Sequence, residues 1–280
     1  MNEIILINKP KGYTSRDIVN IVTKELNTKK VGHFGTLDPL AEGLLLIGTE
    51  KYTKLGNFLE NDTKEYIAEV KIGISTDTYD ITGKILKEEK NVSIDKEKLI
   101  KVLNSFKKTY NQEVPIYSAT KIKGKKLYEY ARENKEVQLP KKEVTIYDIE
   151  LLKIDQDTFT FKALVSKGTY IRSLINDISK KLNIPLCMNN LKRTKQDKFS
   201  LDDANNLEDI KNKTYKSLNI KDVIDVEEIE IPKELEKKII NGNKIDKLSN
   251  KKVLFTKDKE EYVLYGPINN EFKPILTLKK

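Results

Sequence analysis

The segment Gly32-His33-Phe34-Gly35-Thr36-Leu37-Asp38-Pro39-Leu40-Ala41-Glu42-Gly43 sets a carboxylate among glycines and directly before a proline. Glycine and proline interrupt regular structure, so we predict a loop over residues 30–43. The apolar residues 44–47 that follow predict a short buried strand. Asp38 would then lie on a loop held by a rigid scaffold, where reactive side chains are often found. From the pattern alone, an ordinary turn punctuated by Asp-Pro is the simpler interpretation.

The chain on the amino side of this loop predicts one strand and one helix. Residues 4–7 are apolar and predict the strand, and the segment Lys9-Pro10-Lys11-Gly12 turns the chain after it. Thr14 or Ser15 can then cap a helix that reaches about residue 26, with its apolar residues on one face.

On the carboxyl side of the loop, strands and helices are mixed. Residues 64–74 alternate strictly between apolar and polar, which predicts a strand, and residues 144–154 and 158–166 predict a hairpin. Asp95 and Ser173 predict the starts of two amphipathic helices. Because no regular β-α-β alternation is present, the fold class is predicted to be α+β.

The carboxyl-terminal part of the chain predicts a second, smaller unit. An acidic stretch over residues 222–230, ended by Pro232, is typical of a domain boundary. Three strand signals follow within about fifty residues. We therefore predict one domain over residues 1–230 and a small β-rich module over residues 231–280.

The composition limits the classes of function. Lys and Arg number 52 against 43 Asp and Glu, giving a net charge of +9, which suits a polyanionic partner such as nucleic acid, although a protein that is merely basic has the same composition. One histidine and one cysteine, Cys187, argue against histidine-pair and Cys/His metal sites and against an internal disulfide. No apolar stretch approaches the ~18 residues of a membrane span, and no secretory signal is recognisable, so we expect a cytoplasmic protein.

Arginine is rare in this lysine-rich chain. The only four are Arg16, Arg132, Arg172 and Arg193. Each is a candidate for a position that needs a planar, bidentate guanidinium, and chance survival is about as plausible for any one of them.

Six ordered segments resemble one known family. The run over residues 32–43 is similar to the aspartate signature of the TruB family of tRNA pseudouridine synthases, and the resemblance covers about residues 4–200. Phe34 and Thr36 depart from the usual residues of that signature. The tail from about Pro232 resembles a shortened PUA RNA-binding module. The further matching segments are Lys9-Pro10-Lys11-Gly12, Thr63-Lys64-Glu65-Tyr66, Tyr117-Ser118-Ala119-Thr120-Lys121 with Gly124-Lys125-Lys126-Leu127-Tyr128-Glu129-Tyr130-Ala131-Arg132, Ser166-Lys167-Gly168-Thr169-Tyr170-Ile171-Arg172 and Leu191-Lys192-Arg193.

The resemblance implies a chemistry that one carboxylate can perform without a cofactor. A uridine, expected at position 55 of the tRNA T-arm, would be isomerised by breaking its C1′–N1 bond and joining C1′ to C5. Asp38 would act as nucleophile or as base at the sugar, and Arg172 would hold its carboxylate. Tyr66 would stack under the uracil, although a plain core aromatic is the alternative interpretation. If residues 170–172 are extended before a helix capped by Ser173, then Tyr170 and Arg172 point the same way.

The same resemblance implies RNA-binding residues. A target uridine inside a folded arm must be flipped out to reach the site, and His33 is positioned to fill the vacated stack. An insertion over about residues 112–140 has the basic and aromatic mixture of an RNA-gripping element. A monomer that needs no protein partner is expected. The residues assigned to substrate or RNA binding are His33, Tyr170, Lys9, Leu191, Lys121, Lys125, Lys126, Arg132 and Arg193.

Three other functions remain open at this stage. The first is an RNA-guided synthase of the archaeal and eukaryotic kind, which the sequence over Leu127–Arg132 and the short chain disfavour. A non-catalytic RNA-binding or RNA-folding protein is the second, and the joint presence of Asp38, Tyr66 and Arg172 argues against it. The third is a nucleoside hydrolase, which would release free uracil.

Overall fold

The computed structural model describes residues 2–59, 63–269 and 271–279. The strands are β1 Ile4–Lys9, β2 Val31–His33, β3 Glu42–Thr49, β4 Lys64–Ile72, β5 Ile74–Thr76, β6 Ile85–Glu88, β7 Thr109–Glu113, β8 Lys121–Ile122, β9 Lys125–Lys126, β10 Lys141–Ile154, β11 Thr158–Val165, β12 Leu186–Gln196, β13 Phe199–Ser200, β14 Ser217–Leu218, β15 Val226–Glu230, β16 Ile245–Asp246, β17 Lys252–Lys257, β18 Glu260–Ile268 and β19 Glu271–Thr277. The helices are α1 Ser15–Glu25, α2 Lys96–Asn104, α3 Leu127–Arg132, α4 Ile171–Leu182, α5 Leu207–Lys211, α6 Ile220–Val223 and α7 Glu236–Ile240, with 3₁₀ turns at Glu50–Phe58 and Leu201–Asp203.

A ten-stranded sheet forms the larger part of the molecule. Its strands follow the order β14-β1-β3-β12-β4-β11-β10-β7, with β2 paired to β3 and β13 to β12. The contact between β12 and β3 is parallel, and the other strand pairs of this sheet are antiparallel. The predicted α+β fold class is therefore confirmed, and its main sheet is mixed but mainly antiparallel.

Local sequence signals account for most of the element positions. Thr14 caps α1 and exchanges hydrogen bonds with Asp17 in a capping box, so Thr14 is the cap of the two candidates that were left open. Asp95 caps α2 through the Lys98 amide, as predicted. The strand predicted over residues 64–74 is interrupted at Gly73, which has φ +84° and lies so close to the Glu89 carbonyl that a Cβ would overlap it.

The start of α4 differs from the prediction. Ser173 is not the cap, because α4 begins at Ile171, and Tyr170 is the capping residue with φ −101° and ψ 113°. Ile171, Leu174 and Ile175 are all buried, and this apolar stripe continues the helix back through the predicted cap. Arg172 is therefore helical, and the expectation that it and Tyr170 share one side of an extended segment is wrong.

Two hydrophobic cores lie on opposite faces of the large sheet. One face packs against α1, α2 and α4, with Ile18, Leu99 and Leu174 fully buried. The other face, with Leu44 and Leu46, packs against a second, five-stranded sheet. The shared core means that the two sheets are held together by burial of apolar surface.

The five-stranded sheet has the order β15-β17-β18-β19-β16 and lies at the carboxyl end of the described chain. Its first strand, Val226–Glu230, pairs in parallel with β17. This strand lies on the amino side of the boundary predicted at residue 230. A hydrogen bond from the Tyr52 hydroxyl, on the 3₁₀ turn after β3, to Glu261 on β18 adds a polar link to the five-stranded sheet.

Candidate active site

The loop that carries Asp38 is fixed on both sides by backbone contacts. The Ser15 hydroxyl accepts from the Leu37 amide at 2.9 Å and donates to the Leu37 carbonyl at 3.1 Å. The Gly12 amide donates to the Pro39 carbonyl at 2.8 Å, which ties the loop to the turn after β1. Gly43 ends the loop with φ +106°, and its backbone lies so close to Arg193 that a side chain would overlap it. These contacts hold the loop, and with it Asp38, in a fixed position.

Arg172 binds Asp38 through a two-point fork. Its Nε donates to Oδ2 at 2.8 Å and its Nη2 donates to Oδ1 at 3.2 Å. The Arg172 side chain is 6% exposed, whereas that of Asp38 is 36% exposed. The guanidinium is therefore buried behind the carboxylate, and the carboxylate still faces the solvent side of the site.

Backbone carbonyls from two other segments fix the guanidinium. Nη1 donates to the Thr78 carbonyl and Nη2 to the Tyr117 carbonyl, both at 3.1 Å. Asp80 lies 4.0 Å from Nη1 and is itself bound by the Thr82 amide and hydroxyl. Asp80 was not among the site residues predicted from the sequence. Its only local signal was a polar, turn-rich segment between β5 and β6, which resembles many surface turns.

Six of the predicted site residues meet in one cleft. Its volume is about 470 Å³, and Asp38 and Arg172 lie in its wall. Tyr66 on β4 is 6% exposed and contributes its ring, and Leu191 on β12 adds an apolar contact. The Tyr170 hydroxyl lies 3.0 Å from Thr120 Oγ1, so Tyr170 connects the cleft to the insertion predicted over about residues 112–140. His33 completes the predicted set.

His33 is held in a setting that favours its neutral form. Burial is the main cause that lowers the pKa of His33, and the nearby Arg16 and Arg193 charges lower it further. The ring is therefore uncharged at neutral pH. Arg16, which was not predicted as a site residue, lies on the exposed first turn of α1 on this side of the molecule.

Lys9 and Arg193 lie outside the cleft wall and support its loop from behind. Both side chains are fully buried. Lys9 Nζ donates to the Tyr13 carbonyl at 2.7 Å, and burial lowers the pKa of Lys9 to about 8 against the opposing effect of Asp38. Arg193 donates from Nε to the Leu44 carbonyl at 2.7 Å and from Nη2 to the Gly35 carbonyl at 3.1 Å. Their geometry is that of residues that shape the Asp38 loop.

The other predicted RNA-binding residues lie together on an excursion between β7 and β10. Lys121 and Lys126 pair across the short β8–β9 hairpin, which leads into α3. The Lys126 ammonium lies 5.3 Å from the Tyr128 ring centre, and the Arg132 guanidinium lies at the same distance from that ring. Lys125 lies 4.9 Å from the centre of the Tyr130 ring. Two cations therefore lie near the Tyr128 ring and one near the Tyr130 ring on this excursion.

Within the described ranges 2–59, 63–269 and 271–279, no group of three or more His, Cys, Asp or Glu side chains is arranged to hold a metal ion. Across those same residues, no helix is both long and apolar enough to cross a membrane.

Comparisons with known proteins show which family this chain belongs to. A family model described as TruB family pseudouridylate synthase, N-terminal domain, matches residues 23–171. A protein of Clostridium tetani named tRNA pseudouridine synthase B is 40% identical over 99% of both chains. A protein of the same name from Mycoplasma mobile is 42% identical over 96% of this chain and 92% of its own.

The fold also matches a solved structure. A chain in the crystal structure of a Cbf5-Nop10-Gar1 complex is 22% identical, with a TM-score of 0.70 over 99% of this chain and 84% of that one. At this identity the match concerns the fold alone. Fold, cleft and sequence matches together define a pseudouridylate synthase, which is an isomerase. Within that class, the chain belongs to the TruB family.

Proposed function

We propose that this protein isomerises uridine 55 in the T-arm of tRNA to pseudouridine, with Asp38 as its essential carboxylate. The single observation that carries the proposal is the fork between Arg172 and Asp38 in the wall of an open cleft. The relatives that match nearly the whole chain are named tRNA pseudouridine synthase B, which supports tRNA as the substrate.

The chemistry requires one well-oriented carboxylate beside the sugar. The C1′–N1 bond breaks, the uracil turns while it is retained, and C1′ joins C5, after which C5 loses its proton and N1 takes one up. No electron is gained or lost and no external group is added, so we propose that no cofactor takes part. Asp38 either attacks C1′ or removes a sugar proton, and Arg172 keeps its oxygens aimed by two charge-assisted hydrogen bonds.

The cleft wall supports a role for aromatic residues on the flipped base. We propose that Tyr66 stacks under the uracil and accepts the C5 proton, and that Leu191 and Tyr170 bound the base from other sides. Flipping a base costs a few kcal/mol, and a neutral His33 ring in the vacated stack would offset part of that cost.

The proposed RNA surface lies beside the cleft. Lys121, Lys125, Lys126 and Arg132 would contact the RNA backbone from the excursion between β7 and β10, which corresponds to the insertion expected at about residues 112–140. The division into a catalytic domain over residues 1–230 and a PUA-like module over residues 231–280 is part of the same proposal. Lys9 and Arg193 would act on RNA only through the loop they support.

We further propose a cytoplasmic monomer that acts without a guide RNA or protein partner. A guided enzyme is the second candidate, because the matching fold was solved in a complex with two other proteins. The high identity to relatives that match this chain from end to end favours the stand-alone enzyme.

One assay tests these points together. The purified protein is mixed with a T-arm stem-loop transcript carrying tritium at C5 of its uridines, and release of tritium is followed. We expect release from uridine 55 alone, with no added RNA or protein and with no free uracil. Release only after a guide RNA is added would identify a guided enzyme, and free uracil would identify a hydrolase. Binding without release would contradict catalysis altogether.

A further inference from the structure

The first turn of α4 carries two groups of the cleft but has no side-chain cap of its own. Tyr170 is the capping residue, and its side chain makes no capping hydrogen bond. Arg172, the second residue of the helix, forms the fork to Asp38. Because helix ends fray when their backbone groups lack partners, a contact from outside α4 is needed to fix this turn.

Gln112 on β7 supplies that contact. It is 1% exposed, and its Oε1 accepts a hydrogen bond from the Tyr170 amide at 2.8 Å. In a capping box, the third residue of the helix accepts from this amide. The third residue of α4 is Ser173, whose hydroxyl is buried without a hydrogen-bond partner among the described residues. A glutamine 58 positions away in the chain therefore takes the place of the local partner.

A second hydrogen bond sets the orientation of the Gln112 amide. Its Nε2 donates to the Tyr110 hydroxyl at 2.9 Å, and that hydroxyl donates to Asp177 Oδ2 at 3.3 Å. Burial raises the pKa of Tyr110 and the nearby Asp177 raises it further, so the hydroxyl keeps its proton. Because this proton is directed to Asp177, the hydroxyl oxygen accepts from the amide nitrogen of Gln112. The amide oxygen of Gln112 is then left to face Tyr170.

We propose that Gln112 is a positioning residue that fixes the amino end of α4 and thereby holds the Arg172 fork on Asp38. This role rests on the proposed function, because it takes the fork as part of the chemical step. Arg172 lies two residues beyond the amide that Gln112 binds, and one helical turn takes about 3.6 residues, so any displacement of the first turn moves the guanidinium. Gln112 is not part of the described cleft wall, so it acts on the reaction only through α4.

The test substitution is Gln112→Met, which keeps the length of the side chain and removes its strong acceptor. Single-turnover release of tritium is measured at saturating T-arm stem-loop, and exchange of the Arg172 Nε–H with water is measured by NMR. The chain has only four arginines, so the Arg172 signal can be assigned by its loss in Arg172→Lys. The rate constant should fall at least ~10-fold and the Nε–H should exchange at least ~10-fold faster. RNA affinity should stay within about threefold of wild type, because the lost contact belongs to the chemical step.

Two further variants examine the hydrogen bonds themselves. Gln112→Glu keeps an oxygen for the Tyr170 amide and should restore the rate and the exchange to within about fivefold of wild type. Tyr110→Phe removes only the hydroxyl that orients the Gln112 amide, and should change both measurements in the same direction by a smaller factor. It is also the milder substitution, should Gln112→Met prevent folding.

Asn205→Leu is the matched control for stability. Asn205 is likewise a buried amide side chain that joins two segments, since its Nδ2 donates to the Leu6 carbonyl at 3.0 Å and to the Lys216 carbonyl at 2.9 Å. Its loss should destabilise the fold and leave both the rate constant and the Arg172 signal unchanged. Thermal unfolding verifies that each variant is folded at the assay temperature.

The outcomes separate the positioning role from the activity. An unchanged Arg172 signal in Gln112→Met would overturn the role, whether or not turnover falls. Equal changes in Asn205→Leu would also overturn it, since both effects would then follow from lost stability. A wild type that releases no tritium would contradict the proposed function, and a faster exchange in Gln112→Met would still show that Gln112 holds the fork.

Discussion

Arg172 approaches Asp38 edge-on, so that two nitrogens of one guanidinium meet two oxygens of one carboxylate at 2.8 and 3.2 Å. The two residues are 134 positions apart in the chain. Because two further guanidinium N–H groups bind the Thr78 and Tyr117 carbonyls, the arginine is held in place when substrate enters. The carboxylate is therefore oriented before substrate binds, which is the condition for efficient chemistry at a single carbon.

Asp38→Asn should abolish pseudouridine formation and leave RNA binding within a few-fold of wild type. The amide has nearly the same shape, but it lacks the charge that makes the oxygen a nucleophile or a base. Filter binding and tritium release are measured on one preparation, and Glu42→Gln, which removes a charge four residues further along the same segment, is the control. Turnover above about one per cent would mean that another residue supplies the carboxylate, since loss of a covalent catalyst costs several powers of ten.

Arg172→Lys should lower turnover by at least ~100-fold, although the charge is kept. Lysine cannot form the fork or reach the two carbonyls at the same time, so Asp38 would lose its fixed orientation. Single-turnover kinetics on the T-arm stem-loop measure the effect. Arg132→Lys, at an exposed end of α3, is the matched substitution and should act mainly on affinity. Near-normal turnover of Arg172→Lys would remove the fork from the mechanism.

Gly56→Ala should destabilise the fold by ~1–3 kcal/mol through overpacking against Phe34. A Cβ at position 56 would lie 2.6 Å from Phe34 Cδ1, and its three nearest contacts are all atoms of that ring. Adding Phe34→Ala should therefore recover much of the loss, so that the double variant is more stable than the sum of the single changes predicts. Urea unfolding of the four proteins measures the coupling.

Gly48→Ala is the control for the comparison of Gly56→Ala with the double variant that also carries Phe34→Ala. Its Cβ would lie 2.6 Å from Phe34 Cζ but also 2.7 Å from the Tyr52 carbonyl oxygen. Removal of the ring cannot relieve the backbone contact, so the Gly48→Ala variant should keep most of its penalty. If adding Phe34→Ala restored the full stability of the Gly48→Ala variant, or restored none for the Gly56→Ala variant, Phe34 would not be the cause of the loss. The departure of Phe34 from the family signature is thus accommodated by two neighbouring glycines.

The free energy of unfolding of the wild type, measured relative to that of a Lys9→Met variant, should rise with pH between about 8 and about 10.5. Burial lowers the pKa of Lys9 from 10.5 to about 8, so in this window the unfolded chain binds more protons than the folded protein. Linkage then makes unfolding less favourable as pH increases, by up to about 3 kcal/mol across the window. Urea unfolding at several pH values provides the difference, and Lys11→Met removes an exposed ammonium from the same turn as a control. A difference that falls with pH would contradict the sign.

Local signals were sufficient for much of the fold. Alternation predicted β4, the Asp95 cap was predicted correctly, Thr14 was one of two candidates for the α1 cap, and the hairpin of β10 and β11 was predicted within three residues at each end. These features depend on residues that are near each other in the chain, so short-range propensity carries the information. The error at Ser173 has the same origin, since a good capping residue was overruled by the burial of its apolar neighbours.

The candidate site could be predicted only where a motif marked it. Asp38, Tyr66 and Arg172 belong to segments that resemble a family signature, and the cleft does contain all three. Asp80 carried no such mark, and the matching segment that contains Lys9 did not indicate that Lys9 supports the loop from behind. Their roles depend on which strands lie side by side and on where long side chains find buried carbonyls.

The sequence by itself therefore determined local structure and chemistry. It contains a glycine-rich loop before a buried strand, a carboxylate within that loop, and four arginines in a lysine-rich chain. Tertiary packing alone decided that β12 joins β3 in parallel, that α4 aims Arg172 at Asp38, and that Lys9 and Arg193 are buried beneath the loop. The physical reason is that such contacts form between residues distant in sequence. Their geometry is selected by burial of apolar surface and by the need of every buried donor for an acceptor, which no short window of sequence contains.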